Sequence, residues 1–219
     1  MDPRVPGGRD GLRSNMLSFT DRAFSLLPFM DTPRILDIGC GTGVPTLRLA
    51  ELSQGFIVGV DTDETALVVL NERIRARGIS GRVQAREASL DDLPFPDGSF
   101  DVVWCEGAVD VLGFRESLRS WRRLLNVGGY MVLHDQAGDV ERKLGIAGEE
   151  GFSVLEHFEI PEGTWWERYF GVADADPKLL ESEPVLEEEI REFRADPEGC
   201  RSAFFVLRFR GLQILAENR

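Results

Sequence analysis

The sequence predicts an α/β fold built on a mainly parallel sheet, with helices on both faces. Five short apolar segments between residues 34 and 134 are typical of buried strands, and stretches typical of helices follow three of them. Alternation of this kind implies right-handed crossovers between parallel strands. At 219 residues, the chain is long enough for one such domain with a substantial core, and short for two.

The N-terminal region is predicted to consist of an arm and one helix. Residues 1–11 combine glycine, proline and charged side chains, so we expect a mobile arm. From Leu12 to Leu27, apolar residues recur at three- and four-residue steps, which predicts an amphipathic helix. Pro28 and Pro33 follow that helix and separate it from the first strand.

The central region alternates between strands and helices. Asp63 is the predicted N-cap of the second of these helices, and Gly78 its C-terminal stop. The predicted strands are residues 34–38, 56–60, 82–86, 100–105 and 129–134. The predicted helices are residues 44–53, 64–77 and 115–125, and a short polar turn is predicted at 89–92.

The last third of the chain has a different pattern. Residues 152–160 and 203–209 are predicted strands, and no helix of the earlier rhythm is predicted between them. We expect these two strands to pair antiparallel at one edge of the sheet. The run Glu187-Glu188-Glu189 is interpreted as the solvated face of a helix rather than as a metal site.

Composition excludes several classes of function. A net charge of −13 and a pI near 4.7 argue against binding to nucleic-acid phosphates, which requires a basic surface. Four arginines cluster between residues 115 and 123, but their helical spacing favours a solvated helix face. No apolar run approaches the roughly 20 residues of a membrane span, and the N-terminus lacks the apolar stretch of a signal peptide. Three widely spaced cysteines suggest reduced thiols. We therefore expect a soluble cytoplasmic protein.

A glycine-rich segment is the most informative motif of the chain. An apolar strand ends in Asp37, and glycines at positions 39, 41 and 43 lead into a helix. A strand, a glycine turn and a helix N-terminus together form a binding site for a nucleoside-bearing molecule. Dinucleotide sites have the spacing G-x-G-x-x-G, whereas this chain has G-x-G-x-G after an acidic residue. This difference favours S-adenosyl-L-methionine, which has a cationic methionine end and no pyrophosphate.

A second acidic residue supports that interpretation. Asp61 follows the second predicted strand, about 20 residues beyond the glycines, where a carboxylate can accept hydrogen bonds from a ribose diol. Further motifs follow in order: turn residues at 94–98, a fourth strand that begins at Phe100-Asp101, and Gly128-Gly129 before the fifth strand.

With these motifs in this order, residues 34–134 resemble a class I S-adenosylmethionine-dependent methyltransferase. The resemblance is to the broad type that includes the ubiquinone/menaquinone-biosynthesis C-methyltransferases (methyltransferase type 11-like). Residues 104–109 and 165–169 are similar to those of uncharacterised small-molecule members.

The resemblance implies a Rossmann-like three-layer α/β/α sandwich. Its sheet would be seven-stranded and mostly parallel, with an antiparallel C-terminal edge strand. Residues 1–33 would form an N-terminal arm and helix covering the active site, and residues 34–219 a single domain. Within it, residues 34–134 would be the cofactor-binding core and residues 135–219 the substrate-side part.

The resemblance also implies individual roles in the cofactor site. Asp37 would orient the glycine loop and hold the methionine ammonium, directly or through water. Asp61 would bind both ribose hydroxyls. Thr62 would lie along the adenine, and Ser89 and Leu90 would contact its edge. The full set implied is Asp37, Gly39, Cys40, Gly41, Gly43, Asp61, Thr62, Ser89, Leu90, Cys105 and Glu106, the last two through backbone atoms facing the sulfonium.

Catalytic residues are less determined than the cofactor site. Methyl transfer is an in-line displacement that depends mainly on positioning, and a base is needed only if the acceptor loses a proton. Glu106 and His134 are the candidates, with Asp110 and Asp135 nearby at strand ends; a purely structural role for His134 stays open. No spacing demands a metal site.

Aromatic residues are candidate walls of an acceptor pocket, with ordinary core packing as an equal alternative. They are Met16, Phe19 and Phe24 on the N-terminal helix together with Trp165, Trp166, Tyr169 and Phe170. If they line a pocket, the acceptor is flat or apolar.

The sequence thus predicts an enzyme that transfers a methyl group from S-adenosyl-L-methionine to a small molecule, with S-adenosylhomocysteine as the product. Two alternatives stay open: a non-catalytic S-adenosylmethionine-binding protein and a nicotinamide-dependent oxidoreductase. The predicted partner is a small-molecule substrate, with no nucleic acid and no membrane span. A homodimer is compatible with the sequence, which does not identify the acceptor atom.

Overall fold

The computed structural model describes residues 7–211 of the chain, and the first six residues of the predicted N-terminal arm lie outside this range. A seven-stranded sheet forms the centre of the molecule, in the order β3-β2-β1-β4-β5-β7-β6. Its strands are β1 (Arg34–Ile38), β2 (Phe56–Asp61), β3 (Val83–Glu87), β4 (Phe100–Glu106), β5 (Leu125–Gln136), β6 (Phe152–Glu159) and β7 (Ser202–Phe209).

The sheet is mostly parallel, as predicted. Strands β1 to β5 pair in parallel, and β7 pairs antiparallel with both β5 and β6. The C-terminal strand is therefore antiparallel as expected, but the prediction that it lies at the edge is wrong: β6 is the edge strand. Seven of the eight residues of β7 are buried, whereas β6 has several exposed ones, so the interior position suits β7.

Ten α-helices surround the sheet in the described residues. They are α1 (Arg9–Ser14), α2 (Leu17–Ser25), α3 (Val44–Leu52), α4 (Glu64–Ala76), α5 (Val109–Leu112), α6 (Phe114–Trp121), α7 (Val140–Glu149), α8 (Gly171–Asp174), α9 (Pro177–Ser182) and α10 (Val185–Ala195). A 3₁₀ turn (Arg122–Leu124) follows α6, and a π-helical turn (Trp166–Phe170) precedes α8.

The predicted N-terminal helix is divided in two. It was expected from Leu12 to Leu27, but α1 ends at Ser14 and α2 begins at Leu17. The Asn15 side chain donates a hydrogen bond to the Arg168 backbone carbonyl at 3.0 Å, which fixes the break against a distant part of the chain. The two short helices therefore have different neighbours.

Other differences lie at the ends of elements and in the last third. Strand β5 begins at Leu125, four residues before the prediction, because Leu125 pairs with Phe100 ahead of an irregularity in the register. Helix α7, which was not predicted, follows β5, and Asp139 caps it by accepting from the Arg142 amide at 3.0 Å. Helices α8 to α10 lie between β6 and β7, where only a solvated acidic helix face was expected.

Two apolar layers cover the sheet, as a three-layer sandwich requires. Residues of α2, α3 and α4 pack on one face, and residues of α5, α6 and α7 pack on the other. A third apolar cluster joins α1 to the π-helical turn and to α8–α10, through Leu12, Tyr169, Ala173, Leu179, Leu186 and Ile190. We call the π-helical turn and helices α8–α10 together the cap. Among residues 7–211, no helix has the length and hydropathy needed to cross a membrane.

Candidate functional site

The glycine segment forms a loop between β1 and α3. The amides of Gly39 and Cys40 both donate to the Val60 carbonyl, at 2.9 and 3.0 Å, so the loop is held against the end of β2. All three glycines have positive φ, at 72°, 50° and 86°. A Cβ at Gly39 would lie 2.5 Å from that of Ala108, closer than side chains approach one another. The loop thus needs glycine for both its conformation and its packing.

Asp61 lies directly against this loop. Its Oδ2 atom accepts a hydrogen bond from the Gly41 amide at 2.7 Å, and its Oδ1 accepts from the Asp63 amide at 3.0 Å. The carboxylate is half-buried. Each carboxylate oxygen accepts up to two hydrogen bonds, so capacity for a ligand diol is left. The structure therefore brings together two motifs that are 20 residues apart in the sequence.

Asp37 is sealed beneath the loop. Its side chain is buried, and Oδ2 accepts from Thr46 Oγ1, in the first turn of α3, at 2.5 Å. Burial raises its pKa to about 7, and the nearby charges of Glu106 and Asp61 act in the same direction. These contacts fit the predicted role of orienting the loop. A carboxylate so enclosed is poorly placed for direct contact with a ligand.

The residues expected at the adenine edge lie at the open side of the loop. Thr62 is exposed at the end of β2. Ser89 is also exposed, and its hydroxyl donates to the Asp91 carboxylate, which lowers the Asp91 pKa. Leu90 reaches within 4.0 Å of the Cβ position of Gly39, while its carbonyl accepts from Trp121 Nε1 at 2.8 Å. Asp91 was not predicted, although it adds a charged acceptor beside Ser89.

The two cysteines at strand ends are packing residues. Cys40 and Cys105 are both buried, and burial raises the pKa of each thiol. A thiol with a raised pKa is a poor nucleophile. Their side chains therefore contribute bulk near the loop.

Glu106 ends β4 and lies on the same strand face as Trp104. Its carboxylate accepts from Trp104 Nε1 at 2.8 Å and from Thr20 Oγ1 of α2 at 2.9 Å. Burial raises its pKa to about 7, although both hydrogen bonds and the charge of Arg13 oppose that shift. Thr20 was not predicted, because a threonine within an amphipathic helix gives no signal of such a contact.

A cavity of about 450 Å³ opens beside Glu106, between the sheet and the cap. This volume lies within the range of small-molecule sites, roughly 300–1,000 Å³. Its aromatic lining is Phe19, Trp165, Tyr169, Phe170 and Phe204, with Met16 beside them. Phe24 and Trp166, also predicted, pack elsewhere, against Trp104 and Phe193 respectively. A larger, more open groove of about 660 Å³ beside α7 holds none of the predicted site residues.

His134 lines the cavity at the end of β5. Its ring stacks on Phe204 at 4.6 Å and on Trp165 at 6.0 Å, and its buried Nε2 has no hydrogen-bond partner among residues 7–211. Burial lowers its pKa to about 4, which keeps the imidazole neutral near pH 7. Asp135 is not part of this cavity, because its carboxylate pairs with Lys143 of α7.

Charged residues of the cavity come from both ends of the described chain. Arg9 and Arg13 belong to α1, Glu189 belongs to α10, and Asp110 belongs to α5. Arg9 donates to Tyr169 Oη at 3.2 Å and forms an ion pair with Glu189. Neither arginine was predicted as a site residue: Arg9 lies in the predicted arm and Arg13 in the predicted N-terminal helix. No group of three His, Cys, Asp or Glu side chains within 7–211 has a metal-site geometry.

In comparison with known proteins, residues 35–129 match the model of a family described as a methyltransferase domain. The 27-O-demethylrifamycin SV methyltransferase of Amycolatopsis mediterranei (strain S699) is 35% identical over 117 residues, covering 53% of this chain and 43% of that protein. The ubiquinone/menaquinone biosynthesis C-methyltransferase UbiE of Azotobacter vinelandii (strain DJ / ATCC BAA-1303) is 36% identical over 103 residues, covering 46% and 41%. The matched segment thus spans less than half of each curated relative.

Solved structures share the fold over most of the chain. The [4+2]-cyclase SpnF has a TM-score of 0.75 at 21% identity, over 88% of this chain and 80% of that one. An S-adenosylmethionine-dependent methyltransferase from Thiobacillus denitrificans, in complex with S-adenosyl-L-homocysteine, has a TM-score of 0.68 at 17% identity, over 87% and 90%. At such identities the likeness is one of fold, and a fold does not by itself determine the activity.

Proposed function

We propose that this protein is a class I S-adenosylmethionine-dependent methyltransferase that transfers a methyl group from S-adenosyl-L-methionine to a small-molecule acceptor. The match of residues 35–129 to a methyltransferase-domain family and the similarity to two methyltransferases support this proposal. The observation that carries the proposal is the hydrogen bond from the Gly41 amide to Asp61, beside a cavity at the ends of β4 and β5. Ligands of α/β folds collect at this side of the sheet.

The donor is proposed to bind along the glycine loop. Asp61 accepts from the ribose hydroxyls, Asp37 fixes the loop through Thr46, and Gly39, Gly41 and Gly43 allow the backbone to pass under the ligand. The adenine lies near Thr62, Ser89 and Leu90. Cys40 packs beneath the loop, and the backbones of Cys105 and Glu106 face the methionine end. Family membership and a relative crystallised with S-adenosylhomocysteine support this cofactor.

The acceptor is proposed to occupy the aromatic cavity. When bound, the cofactor supplies an electrophilic methyl group on its sulfonium. In-line transfer of that methyl group would require the nucleophilic atom of the acceptor to be held in line with the C–S bond. Phe19, Trp165 and Phe204 restrict the orientation of a flat acceptor and exclude water, so that alignment provides most of the acceleration.

His134 is proposed to receive the proton when the acceptor carries one on its attacking oxygen or nitrogen. The imidazole is neutral near pH 7 because burial lowers its pKa, and Nε2 has no partner within the described chain. Glu106 is the second candidate, although two protein donors already occupy its carboxylate. The proton passes from the histidine to water after product release.

The division of labour along the chain follows from these positions. We propose that residues 34–134 form the donor-binding core and that the described part of residues 135–219 supplies the substrate side. The described part of residues 1–33 lines one wall of the cavity. The relatives that act on rifamycin and ubiquinone precursors by name support a small-molecule acceptor. We further propose a cytoplasmic location. A net charge of −13 supports the proposal that the protein has no nucleic-acid partner. A homodimer stays a prediction, which sedimentation analysis would test.

A transfer assay with methyl-labelled S-adenosylmethionine tests the proposal. The purified protein is incubated with a panel of flat acceptors that carry hydroxyl, amino or carbon nucleophiles, and labelled product is separated from labelled donor. We expect transfer to at least one class, and a loss of transfer to oxygen or nitrogen in His134→Gln but not in His157→Gln, whose side chain lies on β6 outside the cavity. Binding of S-adenosylhomocysteine without transfer to any acceptor would favour the non-catalytic alternative.

A further inference from the structure

Arg13 is a cation that lines the cavity. It belongs to α1, and it makes no hydrogen bond or ion pair with the rest of residues 7–211. One of its guanidinium nitrogens, Nη1, lies 3.6 Å from the position that a Cβ at Gly41 would occupy. The guanidinium therefore lies next to the glycine loop, on the side of the cavity where the methyl donor is proposed to bind.

Glu106 lines the same cavity as Arg13. The two are close enough for the charge of Arg13 to lower the pKa of Glu106, but they do not form an ion pair. Of the other carboxylates around the loop, Asp37 is sealed, Asp61 accepts from the Gly41 amide, and Asp10 is paired with Arg73. Glu106 lines the cavity beside Arg13. An anion and a cation thus line the space beside the loop with no direct bond between them.

We propose that Arg13 and Glu106 together bind the amino-acid end of the cofactor, Arg13 through the ligand carboxylate and Glu106 through the ligand ammonium. The inference rests on the proposed function and adds two residues to it. The methionine end carries both charges on one carbon, so it satisfies both side chains at once. Guanidinium and carboxylate form short, charge-assisted hydrogen bonds. Asp37 then acts on the ligand only through the loop.

This assignment makes the first helix part of the donor site. Helix α1 is fixed to the loop by Asp10, which accepts from Thr42 Oγ1 at 2.7 Å and pairs with Arg73 at 2.8 Å. A bound cofactor adds a second connection at Arg13, one helical turn away from Arg9. Binding of the amino-acid end and ordering of α1 are therefore coupled.

Three ligands separate the two contacts by calorimetry. All three are neutral at sulfur: S-adenosylhomocysteine has both charges of the amino-acid end, decarboxylated S-adenosylhomocysteine keeps only the ammonium, and 5′-methylthioadenosine has neither. Arg13→Gln is expected to weaken S-adenosylhomocysteine about 10- to 100-fold and to leave the other two within about twofold. Glu106→Gln is expected to weaken S-adenosylhomocysteine and the decarboxylated ligand, but not 5′-methylthioadenosine.

Arg9→Gln is the matched control, since Arg9 is on the same helix and is already paired with Glu189. It is expected to leave the preference for S-adenosylhomocysteine over 5′-methylthioadenosine unchanged. The inference is overturned if Arg13→Gln weakens all three ligands equally, if it weakens none, or if Arg9→Gln changes the preference as much. If the wild-type protein binds none of the ligands, the proposed function itself fails.

Discussion

Three of the carboxylates near the glycine loop have different environments. Asp61 is half-buried and accepts from the Gly41 and Asp63 amides, Asp37 is enclosed and accepts from Thr46 of α3, and Glu106 lies between Thr20, Trp104 and the cavity. Burial raises the pKa of Asp37 and of Glu106 to about 7. A positively charged group brought to the cavity compensates such carboxylates, which suits a ligand that carries an ammonium.

Replacement of Asp61 tests the ribose contact. Asp61→Ala is expected to weaken S-adenosylhomocysteine about 10- to 100-fold, because the ligand diol and the Gly41 amide lose a charged acceptor. Asp61→Asn, which keeps one carbonyl oxygen, is expected to lose less. Asp63→Ala is the control: it removes the N-cap that accepts from the Thr65 amide at 2.9 Å, so it lowers stability and not affinity. Unchanged calorimetric affinity in Asp61→Ala would contradict the assignment.

The raised pKa values predict that ligand binding releases protons. Because the folded-state pKa of Asp37 and of Glu106 is about 7, above that of an unfolded carboxyl, the free protein binds extra protons between pH 4 and 7 and loses stability as the pH rises through that window. An ammonium beside Glu106 favours its charged form. Calorimetry near pH 7 in phosphate and in Tris is therefore expected to give different apparent enthalpies, with a smaller difference in Glu106→Gln. Equal enthalpies in both buffers would rule out this linkage.

Most of the arginines that cluster between residues 115 and 123 form ion pairs between the α6 region and the end of α7. Glu150, directly after α7, is 5% exposed at its side chain and pairs with Arg115 at 2.8 Å, Arg119 at 3.0 Å and Arg122 at 3.0 Å. Arg123 does not contact Glu150; it donates to the carbonyls of residues 93 and 95 and pairs with Asp97 at 3.1 Å. The cluster is therefore an intramolecular ion-pair network rather than a free basic surface.

Replacement of Glu150 is expected to destabilise the protein. Glu150→Gln should cost about 1–2 kcal/mol, a value discounted because the arginines are partly solvated. Glu149→Gln is the matched control: its side chain is 63% exposed and, among residues 7–211, its carboxylate pairs with Arg115 alone, so about 0.5 kcal/mol or less is expected. The Glu150 pKa is lowered in the folded state, so its contribution is present near pH 7 and is lost as the pH falls below about 4. Equal urea midpoints for the two variants would contradict this account.

The central elements could be predicted because each has a local signal. Alternating apolar segments, the Asp63 cap and the glycine stops lie within single elements, and the structure has them within a few residues of the prediction. The start of β5 could not be predicted from the sequence, because Gly128 and Gly129 suggest a turn. The strand begins earlier, at Leu125, since that residue pairs with Phe100. The break at Asn15 likewise depends on a contact 153 residues away.

Helix α1 and the cap, which are far apart in the sequence, meet at the cavity. Helix α1 contacts the glycine loop through Asp10, and it contacts the cap through Arg9, which binds Tyr169 and Glu189. Asp10 and Arg73 are both largely buried, so this connection is shielded from solvent. The donor loop, the cap and the acceptor cavity therefore form one connected assembly, and a ligand at the loop is expected to affect α1.

The two halves of the site differ in how far the sequence predicts them. The proposed donor half comes from the ends of β1, β2 and β4, and short motifs mark each of these ends. The proposed acceptor half combines α2, the end of β5, the π-helical turn and β7, and α1 lies between the two halves. The lining of the cavity depends on packing between segments far apart in the chain. Arg13 and Glu189 therefore resembled ordinary surface charges in the sequence.

Hydrogen exchange with added ligand tests the central claim most directly, because it reports both which ligand binds and where. S-adenosylhomocysteine is expected to slow exchange of the backbone amides of residues 39–43 and of α1, and to leave α7, on the opposite face of the sheet, unchanged. NADH at the same concentration is expected to change neither. Protection by NADH alone, or protection by S-adenosylhomocysteine that omits the glycine loop, would contradict a methyl-donor site at this position.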